Sequence, residues 1–355
     1  MASLVPLRSD VALMDGYHSP QVAVDVRLNT NESPYPPPAA WVDAVRDAVA
    51  AIDFHRYPDR DATELRAALA ALHGVRPDQV FAGNGSNEVL LTLFLAYGGP
   101  GRSAAMFEPT YALHSHIARI TGTEVATGER HEDFTLDWDE VTRVLDQHQP
   151  TITFLCSPNN PTGRSESKKT VEAVIDAAPG LVVVDEAYGQ FAPWSALELV
   201  DDDRGMVVVR TYSKTWSMAA FRLGYLVGPA SVVEALEKVA LPYHLDAVKQ
   251  AAGRLALDYR AEMETRVASL VEERGRVAAA LADLPVETWP SEANFILFRP
   301  HNADGRQVWE RLLERSILVR DCSSWPRLDG CLRVTLGTPA ENTAFIDALT
   351  GILGR

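Results

Sequence analysis

The chain has 355 residues, 46% of them hydrophobic and 23% charged, enough to bury one large core or two smaller ones. Its 33 Lys and Arg against 48 Asp and Glu leave a formal net charge of −15. That balance argues against a general binder of nucleic acid or of anionic membrane, since both require a basic field. Three scattered cysteines, Cys156, Cys322 and Cys331, make neither a disulfide framework nor a zinc site, so no metal is expected and the thiols read as those of a reducing compartment. The first 17 residues hold no continuous apolar run, and no stretch approaches the ~20 apolar residues that span a bilayer. The expectation is a cytoplasmic protein with no membrane partner.

In chain order, Pro34-Tyr35-Pro36-Pro37-Pro38 marks an extended arm. Short apolar runs at 79–81, 103–107, 151–155, 181–184, 206–210 and 224–227 read as strands, and several are apolar on both faces, as buried parallel strands are. Between them, amphipathic patterns predict helices over 87–96, 110–120, 138–147 and 169–177. The alternation of strand and helix predicts an α/β fold with helices on both faces of a mainly parallel sheet. From about 245 to 281 one long pattern rich in Ala, Glu and Arg predicts a single linking helix. Runs at 293–298, 317–320 and 332–336, with helices near 304–315 and from 341, then predict a smaller α+β domain.

Four motifs carry chemistry. Thr211-Tyr212-Ser213-Lys214 follows the strand at 206–210, with Arg222-Leu223-Gly224 shortly after. A lysine at the end of a buried strand loses its proton more readily than in water, and a neutral amine forms a Schiff base with a carbonyl. Thr211, Ser213 and Arg222 have the groups to hold a phosphate by charge-assisted hydrogen bonds. Aldehyde and phosphate together suggest pyridoxal phosphate; an ordinary surface lysine is the alternative. Asp185, at the end of the run Leu181-Val182-Val183-Val184, needs a partner, and a pyridinium N–H is one; a helix cap is the other reading. Tyr188, and Asn160 in Asn159-Asn160-Pro161-Thr162-Gly163, could hydrogen-bond the cofactor's 3-oxygen, although the latter motif is first of all turn chemistry. Gly83-Asn84-Gly85-Ser86-Asn87-Glu88 opens a helix and suits an anion.

With these residues in place, the sequence resembles the fold-type I pyridoxal-phosphate aminotransferases, and within them the histidinol-phosphate aminotransferase family. The resemblance runs over nearly the whole chain, adding Leu28-Asn29-Thr30-Asn31-Glu32, Arg56-Tyr57-Pro58, Pro109-Thr110-Tyr111, Ala293-Asn294-Phe295 and Leu332-Arg333-Val334-Thr335 to the motifs above. It implies a large α/β/α sandwich domain over 46–245 and a small α+β domain over 246–355, preceded by an arm and small-domain segment over 1–45. It also implies that Lys214 holds the cofactor and then shuttles a proton, with Asp185 on the ring nitrogen. Asn160 and Tyr188 would meet the 3-oxygen and Tyr111 would stack on the ring. Ser86, Asn87, Thr211, Ser213 and Arg222 would hold the phosphate. Members are homodimers with shared sites, so Tyr57 would reach the partner subunit's cofactor.

For the substrates, a small-molecule amino donor and a 2-oxo acid, the resemblance implies Arg333 for a carboxylate and Arg320 for the phosphate of histidinol phosphate. Tyr17 and Tyr243 are expected at the same pocket. The alternatives are an aminotransferase for aromatic or other amino acids, a decarboxylase of a phosphorylated amino acid such as threonine phosphate, and a non-catalytic regulator. The retained Lys214, Asp185, Asn160, Tyr188 and Arg222 argue against the last. Departures from the family pattern are Trp216 and Ser217, where small residues are usual and which could reshape the pocket, and His114, expected as a half-buried helical histidine.

Overall fold

The computed structural model describes residues 5–12, 14, 16 and 21–354. Its strands are β1 Val26–Leu28, β2 Val80–Gly83, β3 Ser103–Glu108, β4 Glu124–Glu129, β5 Ile152–Cys156, β6 Leu181–Asp185, β7 Met206–Thr211, β8 Gly224–Val227, β9 Val286–Thr288, β10 Phe295–Pro300, β11 Ile317–Asp321 and β12 Leu332–Thr335. Seven form one sheet in the order β2-β8-β7-β6-β5-β3-β4, in which only β8 runs antiparallel to its neighbours. The other five form a second sheet in the order β1-β11-β12-β10-β9.

The central strands of the large sheet are apolar on both faces because both faces are covered. Val183, Val207 and Val209 pack with Leu90, Leu93 and Phe94 on one side. Val182, Val184 and Val208, one residue out of phase, pack with Val141, Val144 and Val171 on the other. This period of two, with helices on each side, is what a buried parallel sheet requires. The small sheet has its own core around Phe295, Phe298, Leu318, Val334 and Phe345. β1 pairs parallel with β11, so the chain segment just before the proline-rich stretch completes that sheet.

The long helix expected over 245–281 is divided. Ala247–Ala256 and Arg260–Ala282 are separated by a 3-10 turn, Leu257–Tyr259. The first piece belongs with the large sheet: its Ala252 lies in one buried cluster with Leu65, and the Trp41 indole N–H donates to the Ala252 carbonyl at 3.1 Å. Trp41 lies in a helix, Ala39–Ala50, that crosses the expected boundary at 45.

The topology sets the site. β5, β6 and β7 run parallel, and in register Cys156 pairs with Asp185 and Asp185 with Val209. Their C-terminal ends therefore open on one side of the sheet, where open α/β sheets bind ligands. At the same level Gly224 of β8 pairs with both Gly83 and Thr211.

Candidate active site

One pocket collects Ser86, Asn87, Tyr111, Asn160, Asp185, Tyr188, Thr211, Ser213, Lys214, Arg222, Arg320 and Arg333. Twelve of the residues expected from sequence thus converge from both sheets. Tyr57 and Tyr243 do not join them in this chain: they stack on each other at the surface, ring centroids 4.5 Å apart and 15° from parallel. Tyr17 lies outside the described residues.

The Lys214 amine donates to the Thr30 carbonyl at 3.0 Å and lies 5.7 Å from the Tyr188 ring centroid. Burial, followed by the nearby Arg333 charge, lowers its pKa from the ordinary 10.5 to about 7, so a large share of the amine is neutral near neutral pH. Asp185 is 2% exposed. Its Oδ1 accepts the Ala187 N–H at 3.0 Å, and its Oδ2 accepts from His114 Nε2 at 2.8 Å. His114 is not half-buried as expected but fully enclosed, stacked on Phe154 with centroids 4.8 Å apart and edge-on to Tyr111 at 5.3 Å. Its other ring nitrogen has no hydrogen-bond partner among the described residues, and since a carboxylate only accepts, Nε2 is the donor of this pair. The adjacent acid, Glu186, faces elsewhere. It takes Arg210 in a buried pair at 2.6 Å and braces β6 against β7.

The Tyr188 hydroxyl accepts from the Asn31 amide at 2.9 Å, and burial raises its pKa, so its own proton remains available to donate. Asn160 receives the Arg333 guanidinium on its Oδ1, which leaves its amide N–H2 as the donor. Ser213 Oγ accepts from Thr211 Oγ1 and from Arg222 Nη1, both at 3.1 Å. Arg222 has a left-handed backbone, φ +52°, which turns its side chain back over the helix Ser86–Tyr97. That approach needs glycines: a Cβ on Gly85 would come within 2.9 Å of Arg222 Nη2, and one on Gly224 would collide with the Ser86 backbone nitrogen. No side chain caps this helix, so hydroxyls, a guanidinium and the helix N-terminus surround one anion-sized space.

These residues fit pyridoxal phosphate on their own chemistry. A neutral amine suits its aldehyde, a buried carboxylate its ring nitrogen, two hydrogen-bond donors its 3-oxygen, and the cradle at Ser86, Ser213 and Arg222 its phosphate.

Arg333 is 5% exposed; it donates to the Asn29 carbonyl at 2.9 Å and packs over Phe295 at 5.1 Å. Arg320 is its register partner across the β11–β12 pair, so two guanidinium side chains leave one face of the sheet side by side. Sequence reasoning missed the pocket roles of Asn29, Thr30 and Asn31, although they follow a short strand as a polar run within a motif already noted. It also missed Trp325 and the contact of His114 with Asp185. Trp216 does not shape the pocket. It is buried 5.5 Å from Tyr212 in the core behind the lysine, while Ser217, at φ +57°, bonds Ser33 at 3.0 Å.

The family model for aminotransferase class I and II matches residues 23–349. The histidinol-phosphate aminotransferase of Rhodococcus jostii is 46% identical over 355 residues, covering 97% of this chain and 92% of the relative. That of Mycobacterium avium is 45% identical over 354 residues, covering 97% and 88%. Among solved structures, histidinol-phosphate aminotransferase from Sinorhizobium meliloti in complex with pyridoxal-5'-phosphate superimposes with a TM-score of 0.90 at 22% identity, covering 99% of each chain. The large parallel-rich sheet and smaller α+β unit are thus the fold-type I architecture expected. With that family model spanning residues 23–349 and these relatives covering 97% of it, the chain belongs to the class I and II aminotransferases.

Proposed function

We propose that this aminotransferase takes histidinol phosphate as amino donor and 2-oxoglutarate as acceptor, releasing imidazole-acetol phosphate and glutamate in alternating half-reactions. The observation that carries the reading is the pairing of Arg320 with Arg333 across β11 and β12 at the mouth of the pocket. Like charges placed opposite each other in a sheet are unfavourable, and a doubly charged oxyanion between them removes the penalty. A phosphate monoester is such an anion, and a carboxylate uses part of the same grip in the return half-reaction. The relatives at 45–46% identity are named for this substrate.

Pyridoxal phosphate supplies the electron sink that makes the carbon bearing the amino group acidic. The protein's residues do the rest. Lys214, neutral for much of the time near neutral pH, can take a proton at Nζ and return it. Asp185, pinned by His114 and the Ala187 N–H, keeps a fixed carboxylate toward the ring nitrogen. Tyr188 and Asn160 donate to the 3-oxygen, and Ser86, Asn87, Thr211, Ser213 and Arg222 hold the phosphate.

The reading includes a cytoplasmic homodimer. Phe54, Tyr57 and Leu241 are 72–80% exposed and Tyr243 is 41% exposed, an aromatic patch suited to a second copy whose cofactor Tyr57 would reach. No described helix is long and apolar enough to cross a membrane. The test is product analysis with the holoenzyme. Glutamate and an imidazole keto phosphate formed in equal amounts from histidinol phosphate and 2-oxoglutarate support the reading; carbon dioxide from threonine phosphate would make the chain a decarboxylase.

A further inference from the structure

We infer that Asn31 is a positioning residue of this active site: its side-chain amide leaves the Tyr188 hydroxyl proton for the cofactor's 3-oxygen, and its turned backbone presents the Thr30 carbonyl to Lys214. The inference rests on the reading of Tyr188 as a partner of that oxygen. Asn31 is 1% exposed and has a left-handed backbone, φ +55°, a conformation that asparagine adopts more readily than most residues. Around that turn the chain meets the groups of the site one after another. The Asn29 carbonyl accepts from Arg333 at 2.9 Å, the Thr30 carbonyl accepts from Lys214 at 3.0 Å, and Asn31 Nδ2 donates to the Tyr188 hydroxyl at 2.9 Å.

The direction of the last bond is set from the small sheet. Thr335 Oγ1 accepts the Asn31 N–H at 3.0 Å, which leaves its own proton for Asn31 Oδ1, 2.9 Å away. Asn294 Nδ2 donates to the Asn31 carbonyl at 3.2 Å, so all four polar groups of Asn31 are bonded. With Oδ1 occupied as an acceptor, the other end of the amide is the donor, and a hydroxyl that accepts there keeps its proton for another acceptor. The Tyr188 ring is packed edge-on to Phe295 at 5.0 Å, so the amide decides where the hydroxyl proton goes and not where the ring lies. Burial pushes the Tyr188 phenol up in pKa, whereas the Arg333 charge and the Asn31 amide pull it back; the amide thereby makes the phenol a stronger donor. Thr335 and Arg333 lie two residues apart on β12 and share a face of the small sheet, so one strand carries both an anion grip and the anchor of Asn31.

The test follows the absorbance of the cofactor-loaded enzyme against pH in Asn31→Gly, Thr335→Val and Tyr188→Phe, and in Asn31→Gly combined with Tyr188→Phe. Asn31→Gly permits the same left-handed turn and removes only the side chain. A donor at the 3-oxygen favours its anionic form, so a weaker donor raises the pH at which the absorbance changes. Loss of a neutral hydrogen bond predicts a rise of about 0.4–1 unit in Asn31→Gly, and no further rise when Asn31→Gly is added to Tyr188→Phe. Thr335→Val, which touches neither Tyr188 nor Lys214, should give a smaller rise in the same direction. In the cofactor-free protein the pH midpoint of Lys214 acylation should be the same in Asn31→Gly as in the wild type, because the turn that places the Thr30 carbonyl is kept. An unchanged absorbance midpoint in Asn31→Gly, or a full shift on the Tyr188→Phe background, would overturn the inference. So would a displaced Lys214 midpoint in Asn31→Gly, since the side chain would then only hold the local fold. Should Asn31→Gly fail to fold, Thr335→Val, alone and combined with Tyr188→Phe, carries the same comparison. An unmoved absorbance midpoint in Tyr188→Phe itself removes the reading of Tyr188, and the inference falls with it.

Discussion

Replacing Arg320 by Ala separates the two anion contacts that the sheet register puts side by side. In an antiparallel pair, directly opposite residues have Cα atoms about 4.5–5.5 Å apart. Arg320 and Arg333 are such a pair, so both guanidinium groups can reach one phosphate, and Arg333 is held by the Asn29 carbonyl and Asn160. A hydrogen bond to a charged group contributes about 1.5–3 kcal/mol, so losing the Arg320 contact predicts a fall of about 10- to 150-fold in kcat/KM for histidinol phosphate. Phenylalanine, whose one carboxylate belongs to Arg333, should lose much less. The assay is stopped-flow absorbance of the bound cofactor in each half-reaction over a range of donor concentration. A loss of the same size for both donors would refute the division of labour between the arginines.

Three further outcomes follow from the same geometry. In the cofactor-free protein Lys214 should react with an amine-acylating reagent with half-maximal rate near pH 7, because its lowered pKa keeps the amine neutral above that value; peptide mass spectrometry reads the rate, and a midpoint near 10 contradicts the described burial. Replacing His114 by Phe keeps the stack on Phe154 but leaves Asp185 Oδ2 without its donor, so denaturant unfolding should show a loss of about 1–3 kcal/mol; no loss would mean the carboxylate finds another partner. Replacing Gly224 by Ala forces the start of the helix Ser86–Tyr97 away from the phosphate cradle at a cost of about 1–3 kcal/mol, and equilibrium dialysis should show pyridoxal phosphate bound about 5- to 150-fold more weakly.

Those features that the sequence exposed are the ones with a one-dimensional signature. β6 is apolar up to its last residue and β7 up to its last two, and just there the chain carries Asp185 and, three residues past β7, Lys214. β4 escapes such a reading because it is an edge strand whose residues Glu124, Thr127 and Glu129 look like loop. β1 and β9 are only three residues long, and pairing with distant partners makes them strands. The helices Thr63–His73 and Ala230–Val239 bury narrow apolar stripes that a short window does not separate from surface helix. The break at Leu257–Tyr259 has neither Gly nor Pro to announce it. The contact of His114 with Asp185 joins residues 71 positions apart, and no spacing rule reaches it.

The most direct measurement is a single-turnover titration of the yellow, cofactor-loaded enzyme with histidinol phosphate, phenylalanine and glutamate, following loss of the cofactor's absorbance. The account predicts fast bleaching by histidinol phosphate at low concentration, bleaching by glutamate as it runs the return half-reaction backward, and a weak response to phenylalanine. Bleaching by phenylalanine with none by histidinol phosphate would contradict it and make the chain an aromatic aminotransferase.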